Sequence, residues 1–365
     1  MRIYMDNAAT TRMSEPVLKA MTPYFRDIYG NPSSEHGFGR QARQALDAAR
    51  AQTAKALGAE PEGVYFTSGG TEADNWALRC AGGGHIVTTA MEHHAVLHTC
   101  AALEAQGREV TYILPDADGL ISPEKLAAAI RPDTALVSVM LVNNEVGAIQ
   151  PVAALSEIAH AHGALFHTDA VQAVGHMPVD MAALGVDLLS LSAHKFHGPR
   201  GVGALVTRRG LKLGRLMEGG AQERGLRPGT ENLPGIVGLA AALTTEGLEE
   251  RADRVRRLRD HMIRRILSEI PGAVLNGHAE RRVCGNVNVS FPGADARMLL
   301  MRLDLMGIAA SAGSACTSGA TEPSHVLTAM GLAPDIARSA LRLSLSDENT
   351  PEEVDAVVEA LKGMV

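Results

Sequence analysis

The sequence lacks a long apolar run. No window approaches the ~18 consecutive apolar residues of a membrane-spanning helix, and the stretch MRIYMDNAATTRM has no apolar segment behind a basic start, as a signal peptide would. It also lacks an excess of basic residues, because the formal net charge is −7 at pH 7. We therefore expect neither a membrane nor a nucleic-acid partner, and we expect a cytoplasmic location.

Cysteine is scarce as well. The chain has four cysteines and no CxxC pair, which argues against both a disulfide framework and a structural zinc site. His94 and His98 in MEHHAVLH share a helical face at i, i+4. With no third ligand nearby and no HExxH pattern, we do not favour a metal site there and expect no bound metal.

Short apolar runs alternate with helical patterns over the first two thirds of the chain. The predicted strands are 64–67, 85–89, 135–142, 164–170, 187–193 and 201–207. Near-continuous hydrophobic strands separated by helices predict an α/β fold with a mostly parallel sheet that is covered on both faces.

After about residue 245 the pattern changes and predicts a smaller α+β unit. It contains a charged helix over 246–270, a strand over 286–291, a helix over 294–307 and a strand over 340–346. The last helix begins at TPEE, where Thr350 can cap, Pro351 fits the first turn and Glu353 completes a capping box.

Ligands of open α/β sheets bind beyond the carboxyl ends of the strands. After the first predicted strand, SGGTEADN places Gly70 and Thr71 where backbone N–H groups and a hydroxyl can bind a phosphate at a helix N-terminus. An ordinary capped turn explains this stretch about as well.

Asp169 and Lys195 end two further predicted strands. Singly, Asp169 is explained as a helix cap and Lys195 as a surface charge. Together they describe a pyridoxal phosphate site, which needs a lysine for the Schiff base, a carboxylate for the pyridine nitrogen and a phosphate cradle. Ser192 and His194 beside the lysine are both able to bind the phosphate.

Cys316 stands in SAGSACTSGATEPSH, a run of small polar residues with little to pack against. Such a setting is typical of a chemically used thiol, although a small-residue loop also carries a bystander cysteine by chance.

Ten motifs in order give the chain a specific resemblance. They are YMDNAATT, GNPSSEHGFGR, FTSGGTEADN, MEHHAVL, VNNEVGAIQP, FHTDAVQAVG, SLSAHKFHGPRGVG, GGAQERGLRPGTEN, SAGSACTSG and EPSHVL. The chain resembles a cysteine desulfurase of the aminotransferase class-V, fold-type-I pyridoxal phosphate enzymes, in the iron–sulfur cluster assembly branch and the long catalytic-loop group. The resemblance implies a seven-stranded sheet in a large domain, 16–245, and a small domain of 1–15 and 246–365 with the cysteine loop at about 311–325.

The resemblance also implies a role for each matching residue. Lys195 would carry the cofactor and move the Cα proton, and His93 would stack on the ring with a possible proton-transfer role. Cys316 would take the substrate sulfur as a persulfide. The remaining roles are Asp169 and Gln172 at the ring, Gly70, Thr71, Ser192, His194 and the second subunit's Thr230 at the phosphate, and Asn144 and Arg342 at the substrate carboxylate.

The implied reaction converts L-cysteine to L-alanine in a homodimer and passes sulfur to a protein acceptor such as an iron–sulfur scaffold. Two alternatives stay open. A selenocysteine lyase or another class-V enzyme would share Lys195 and Asp169 but need not use Cys316, whereas a non-catalytic sulfur-carrier scaffold would keep only the fold.

Overall fold

A computed structural model describes residues 2–80, 82–243, 246–313 and 323–365. Its strands, in chain order, are β1 (Ile3–Tyr4), β2 (Val64–Thr67), β3 (His85–Thr89), β4 (Val110–Ile113), β5 (Thr134–Ser138), β6 (Leu165–Asp169), β7 (Leu188–Ser192), β8 (Gly203–Thr207), β9 (Val274–Leu275), β10 (Asn286–Ser290), β11 (Ile308–Ala309) and β12 (Ala340–Ser344).

The helices connect these strands and cover the sheets. They are α1 (Glu15–Met21), α2 (Pro23–Arg26), α3 (Gly37–Ala56), α4 (Gly70–Cys80), α5 (His94–Glu104), α6 (Pro123–Ala129), α7 (Val152–Ala161), α8 (Met181–Leu184), α9 (Leu233–Ala242), α10 (Leu248–Glu269), α11 (Ala296–Leu305), α12 (His325–Ala329), α13 (Pro334–Arg338) and α14 (Pro351–Lys362). None of the helices in the described ranges combines the length and the apolar character needed to cross a bilayer.

The central sheet has seven strands in the order β2-β8-β7-β6-β5-β3-β4. Strand β8 pairs antiparallel with both of its neighbours, and the other strands run in one direction. Every residue of β3, β7 and β8 is buried, because helices cover both faces of the sheet. The prediction of a mostly parallel seven-stranded sheet is confirmed.

Two details of this sheet differ from the sequence patterns. The sequence patterns did not predict strand β4. This strand lies at the edge of the sheet, and three of its four residues are only partly buried. It therefore lacks the continuous apolar run of the other strands. The strand predicted over 135–142 ends at Ser138. Beyond it, Val142 pairs with Ile149 across a tight loop, so the apolar run continues into the loop.

A second sheet, in the order β12-β10-β9, is antiparallel, and β1 pairs with β11 in parallel. Asn7 Nδ2 donates to the Ser344 carbonyl oxygen at 2.8 Å, so the first residues of the chain pack against the last strand. The division into domains 16–245 and 1–15 with 246–365 stays a prediction.

The predicted capping box at the last helix is present. Glu353 N donates to Thr350 Oγ1 at 3.3 Å, and Thr350 N donates to Glu353 Oε2 at 3.2 Å. These bonds satisfy backbone donors that the first turn of α14 would otherwise leave unpaired.

Candidate active site

A cavity of about 250 Å³ lies at the carboxyl ends of the parallel strands. The N-terminal residues Ala8 and Ala9 form part of its wall. It brings together ten of the residues predicted from the sequence: Gly70, Thr71, His93, Asn144, Asp169, Gln172, Ser192, His194, Lys195 and Arg342. The carboxyl ends of parallel strands meet at one edge of a sheet, which explains why residues so far apart in the chain share one cavity.

Lys195 ends a single 3₁₀ turn, Ala193–Lys195, that follows directly on β7. Its Nζ donates to the carbonyl oxygens of Ala8 and Ala9, at 2.7 Å and 2.8 Å. The N-terminal segment therefore contributes backbone acceptors to the site. The motif DNAATT was the only signal for this segment in the sequence, and it assigned no role to these carbonyl groups.

Asp169 is the last residue of β6 and is buried. Burial raises the pKa of Asp169 above its usual range, opposed by the hydrogen bond from Val171 N at 2.9 Å and by the charge of Lys195. Gln172, one turn further on, donates from Nε2 to Ala8 O at 2.9 Å. A carboxylate in this dry setting interacts strongly with any cation placed beside it.

His93 is the N-cap residue of α5, and its Nδ1 accepts a hydrogen bond from Ala95 N at 3.1 Å. That bond makes Nδ1 the unprotonated ring nitrogen, so in the neutral ring Nε2 carries the hydrogen. Burial, followed by the charge of Lys195, lowers the pKa of His93 to about 4. The imidazole is therefore neutral at neutral pH.

Four of the five predicted phosphate ligands, Gly70, Thr71, Ser192 and His194, line the cavity, where α4 begins at Gly70. A Cβ on Gly70 would lie 2.7 Å from Val171 Cγ2, so glycine is needed for this close approach. His194 Nδ1 lies 3.1 Å from Thr10 Oγ1, and burial lowers the pKa of His194 to about 4. Hydroxyls, a neutral imidazole and a helix N-terminus together suit a phosphate.

Arg342 lies in β12 of the second sheet and lines the side of the cavity that this sheet forms. Its Nη1 donates to Asn144 O at 2.9 Å and its Nη2 donates to Asp6 Oδ1 at 3.0 Å. Among the described residues, Arg342 Nε and Asn144 Oδ1 are buried without a hydrogen-bond partner. Buried polar atoms are normally paired, so these two are candidates to bind a ligand. Sequence reasoning missed Asp6.

Asp74 of α4 also lines the cavity and was not predicted. It is buried, and its Oδ1 lies 3.7 Å from Nε2 of the buried His167. Burial, followed by the charge of Asp169, raises the pKa of Asp74 well above its usual range. The stretch TEADN was quoted for its phosphate-binding end only, so no signal distinguished this carboxyl group.

Two predicted residues are not in this cavity. Thr230 is exposed and is not among the lining residues. Cys316 lies outside the described residues. The roles assigned to both stay predictions.

The histidines of MEHHAVLH have a neighbour that the sequence did not reveal. The ring centroid of His94 is 4.8 Å from that of His98 and 4.7 Å from that of His325. Across 2–80, 82–243, 246–313 and 323–365, however, no three His, Cys, Asp or Glu side chains converge in a way that would hold a metal ion.

Comparison with known proteins identifies the family. The sequence matches the aminotransferase class-V family over residues 3–357. The chain belongs to this family. A curated class-V relative, cysteine desulfurase IscS of Methanosarcina thermophila, is 51% identical over 371 residues, which cover 100% of this chain and 92% of the relative.

Solved structures agree with this family assignment. A NifS-like protein superposes with a TM-score of 0.93 at 40% identity, over 100% of this chain and 99% of that chain. SspA in complex with cysteine has a TM-score of 0.83 at 34% identity, over 96% of this chain and 100% of that chain. The predicted family, fold class and enzyme class are confirmed.

Pyridoxal 5'-phosphate is the cofactor of these class-V enzymes, as predicted. The cavity fits it, because a lysine amine, a buried carboxyl group and a helix N-terminus flanked by hydroxyls are the groups that this cofactor requires. Lys195 would hold its aldehyde carbon, Asp169 its pyridine nitrogen, and Thr71, Ser192 and His194 its phosphate.

Proposed function

We propose that this chain is a cysteine desulfurase that converts L-cysteine to L-alanine and passes the sulfur, as a persulfide on Cys316, to a protein acceptor for iron–sulfur cluster assembly. One observation carries the proposal. Lys195, which can move a proton at a substrate carbon, and Arg342, which can bind a carboxylate, line the same cavity. The named activity of the 51% identical relative agrees with it.

Arg342 and Asn144 place the substrate. A planar guanidinium matches a carboxylate in bidentate fashion, and the buried Arg342 Nε is an N–H donor with no hydrogen-bond partner among the described residues. Asn144 would donate to the same carboxylate from its amide Nδ2, since its Oδ1 can only accept. A substrate carboxylate at Arg342 directs the rest of the amino acid toward Lys195, which lies in the same cavity.

Lys195 takes the proton from the substrate Cα. Bound in the cavity, pyridoxal phosphate supplies an electron sink for the negative charge that remains on this carbon. Asp169 would keep the pyridine nitrogen protonated and so strengthen that sink. His93 is neutral because burial lowers its pKa to about 4. Its Nδ1 is occupied by the hydrogen bond from Ala95 N, so a proton would leave and return at Nε2.

Cys316 supplies the nucleophile. Its thiolate attacks the substrate Sγ, an S–S bond forms, and the Cβ–Sγ bond breaks with its electron pair remaining on the carbon skeleton. One proton added at Cβ and one returned to Cα by Lys195 complete L-alanine. Cysteine and one thiol thus give alanine and one persulfide, and no external oxidant is needed.

The described cysteines are poor candidates for this role. Burial raises the pKa of Cys100 to about 12 and that of Cys284 to about 11. Burial also raises the pKa of Cys80. Thiols with raised pKa values are poorly ionised at neutral pH and react slowly.

A homodimer is part of the proposal. In a chain with only 3% aromatic residues, Phe25, Tyr29 and Phe38 are 64%, 68% and 56% exposed, and the rings of Tyr29 and Phe38 are 5.6 Å apart. A second copy would bury this apolar patch. The same dimer would allow Thr230, exposed here, to reach the partner's phosphate site.

The test is to incubate the holoenzyme with L-cysteine and measure alanine, sulfide and the mass of the peptide that contains Cys316. We expect added sulfur on that peptide. Cys316→Ser should keep the cofactor and its spectral response to L-cysteine but form no alanine, because a serine hydroxyl is a far weaker nucleophile than a thiolate. Cys80→Ser is the matched control and should retain activity.

Wild-type rates of alanine and sulfide formation by Cys316→Ser would contradict the persulfide mechanism. The same assay with L-selenocysteine separates the proposal from its alternative within the family. A selenocysteine lyase would release alanine from L-selenocysteine and not from L-cysteine, and a non-catalytic scaffold would release it from neither.

A further inference from the structure

Glu145 is a fully buried carboxylate to which the proposed reaction assigns no role. It follows Asn144 in the loop between Val142 and Ile149, and its exposure is 0%. Its Oε2 accepts a hydrogen bond from Ser324 Oγ. Its Oε1 lies 4.0 Å from His325 Nδ1 and has no hydrogen-bond partner among the described residues.

Gly313 contacts the same carboxylate from another side. Its φ of +62° is in the left-handed region that favours glycine, and a Cβ built on it would lie 2.9 Å from Glu145 Oε2. Gly313 precedes Cys316 by three positions in the sequence, and Ser324 follows it by eight. One buried carboxylate therefore contacts the chain on both sides of the segment 314–322.

The backbone of Glu145 is fixed by three hydrogen bonds. Its N donates to Asn143 Oδ1 at 2.9 Å. Its carbonyl oxygen accepts from Asn286 Nδ2 and from Asn288 Nδ2, both at 3.0 Å. The carboxylate is thus attached to a rigid loop that also presents Asn144, whose carbonyl oxygen accepts from Arg342.

Burying a carboxylate without a paired cation is unfavourable. An apolar side chain of similar size would fill the same space without that cost, but it would offer no acceptor to Ser324. The carboxylate provides a hydrogen-bond acceptor for Ser324 at a position that is also next to Gly313. A charge-assisted hydrogen bond fixes direction as well as distance.

We propose that Glu145 is a positioning residue for sulfur transfer: its carboxylate binds Ser324 by a hydrogen bond and packs beside Gly313, and so fixes these two residues, which flank the segment with Cys316, relative to Asn144. The inference rests on the proposed function, because it gives the position of this segment a purpose in the reaction. Substrate binding at Asn144 and the positions of Gly313 and Ser324 then depend on one loop.

The test compares Glu145→Gln and Ser324→Ala in the holoenzyme with two matched controls. Asp187→Asn removes another buried carboxylate, directly before β7 and therefore at the amino ends of the parallel strands, away from the cavity. Ser122→Ala removes another helix-capping serine, at α6. The second control is needed because Ser324 also caps α12, through the bond from Leu327 N at 3.2 Å.

Two quantities are measured for each protein. The first is kcat and KM for alanine formation from L-cysteine, where a misplacement of about 1 Å costs about 10²-fold in rate. The second is the rate at which iodoacetamide alkylates Cys316, followed by mass spectrometry without substrate. We expect both test variants to lower kcat by roughly 10- to 100-fold at little changed KM, and to raise the alkylation rate by about tenfold, the effect of losing one charge-assisted hydrogen bond.

The two control variants should have altered thermal stability, but the kinetic constants for alanine formation and the alkylation rate of Cys316 should not change. Unchanged kcat and unchanged alkylation in Ser324→Ala, with an active wild type, would overturn the inference even if Glu145→Gln failed to fold. A wild type that forms no alanine would instead refute the proposed function, and the alkylation rates would still decide whether Glu145 holds the segment.

Discussion

Arg342 Nη2 lies 3.0 Å from Asp6 Oδ1, across 336 positions of the chain. The Arg342 side chain is 2% exposed, and its Nη1 donates to Asn144 O. Two edges of the guanidinium are thus held in place by the protein itself. This pre-orients the group, so less conformational freedom is lost when a carboxylate binds.

We expect Arg342→Lys to raise KM for L-cysteine by about 10-fold or more. A lysine keeps the charge but cannot bond Asp6, Asn144 and a substrate carboxylate in one plane. Cofactor binding should be little changed, because neither Asp6 nor Arg342 is among the predicted cofactor ligands. The measurement is steady-state kinetics together with cofactor titration.

The matched control for this prediction is Arg259→Lys. Arg259 is also buried, but it donates to the carbonyl oxygens of Arg282 and Val283 and is not among the residues that line the cavity. It should lower stability without raising KM. An equal rise of KM in both variants would show that Arg342 acts through general stability and not through the substrate carboxylate.

Reduction of the holoenzyme with borohydride should attach the cofactor to Lys195 and to none of the other five lysines, Lys19, Lys55, Lys125, Lys212 and Lys362. The reason is position, since Lys195 is the lysine that lines the cavity beside Asp169 and His93. Peptide mass spectrometry after reduction is the measurement. Lys195→Ala should abolish the adduct, and Lys212→Ala should not.

The low pKa of His93 predicts how stability changes with pH. Burial lowers the pKa of this imidazole from 6.5 to about 4, so between these pH values the unfolded chain binds a proton that the folded chain does not. The free energy of unfolding therefore falls as the pH drops from about 6.5 to about 4. In His93→Gln, the free energy of unfolding should therefore fall by roughly 2–3 kcal/mol less over this pH range than in the unmodified protein.

The check is the unfolding free energy of the protein and of His93→Gln, determined by denaturant titration at several pH values in this window. Burial also lowers the pKa of His194 to about 4, so His194 lowers the free energy of unfolding over the same pH range. Part of the pH dependence therefore remains in His93→Gln. His162→Gln, at the exposed end of α7, is the control. Identical slopes in the protein and in His93→Gln would contradict a buried neutral imidazole.

Mixed dimers test whether Thr230 acts across a two-fold interface. Thr230→Ala should weaken cofactor binding by about tenfold, the effect of one hydrogen bond to a charged group. Lys195→Ala should be inactive. Activity is assayed at a cofactor concentration that saturates the wild type but not Thr230→Ala. If Thr230 serves the partner's site, a dimer of the two variants contains one complete site and regains about half of the wild-type activity per dimer.

Sedimentation at the working concentration should accompany the mixing experiment. A fully active monomer, or mixed dimers with no more activity than the average of the two variants, would rule out the proposed role of Thr230. A mixture of wild type and Lys195→Ala serves as the control that measures how far the subunits exchange between dimers.

The sequence by itself determined the local elements and the residues that end them. The strand patterns VYFT and HIVTT coincide with β2 and β3, and the Thr350 capping box forms as TPEE predicts. These features depend on neighbours a few residues apart, through β-branched side chains, continuous apolar runs and side-chain bonds to the backbone. Asp169 and Lys195 were found because the carboxyl ends of parallel strands share one edge.

Only the tertiary structure decided which distant groups complete the site. The carbonyl of Ala8 beside Lys195, Asp6 beside Arg342, and Glu145 beside Ser324 join residues 187, 336 and 179 positions apart. No periodicity or spacing encodes such pairs, because each depends on how two sheets and the N-terminal segment pack together. Backbone carbonyls in particular leave no trace in the residue types, and the burial that shifts the pKa values of His93 and Asp74 exists only once the chain has folded.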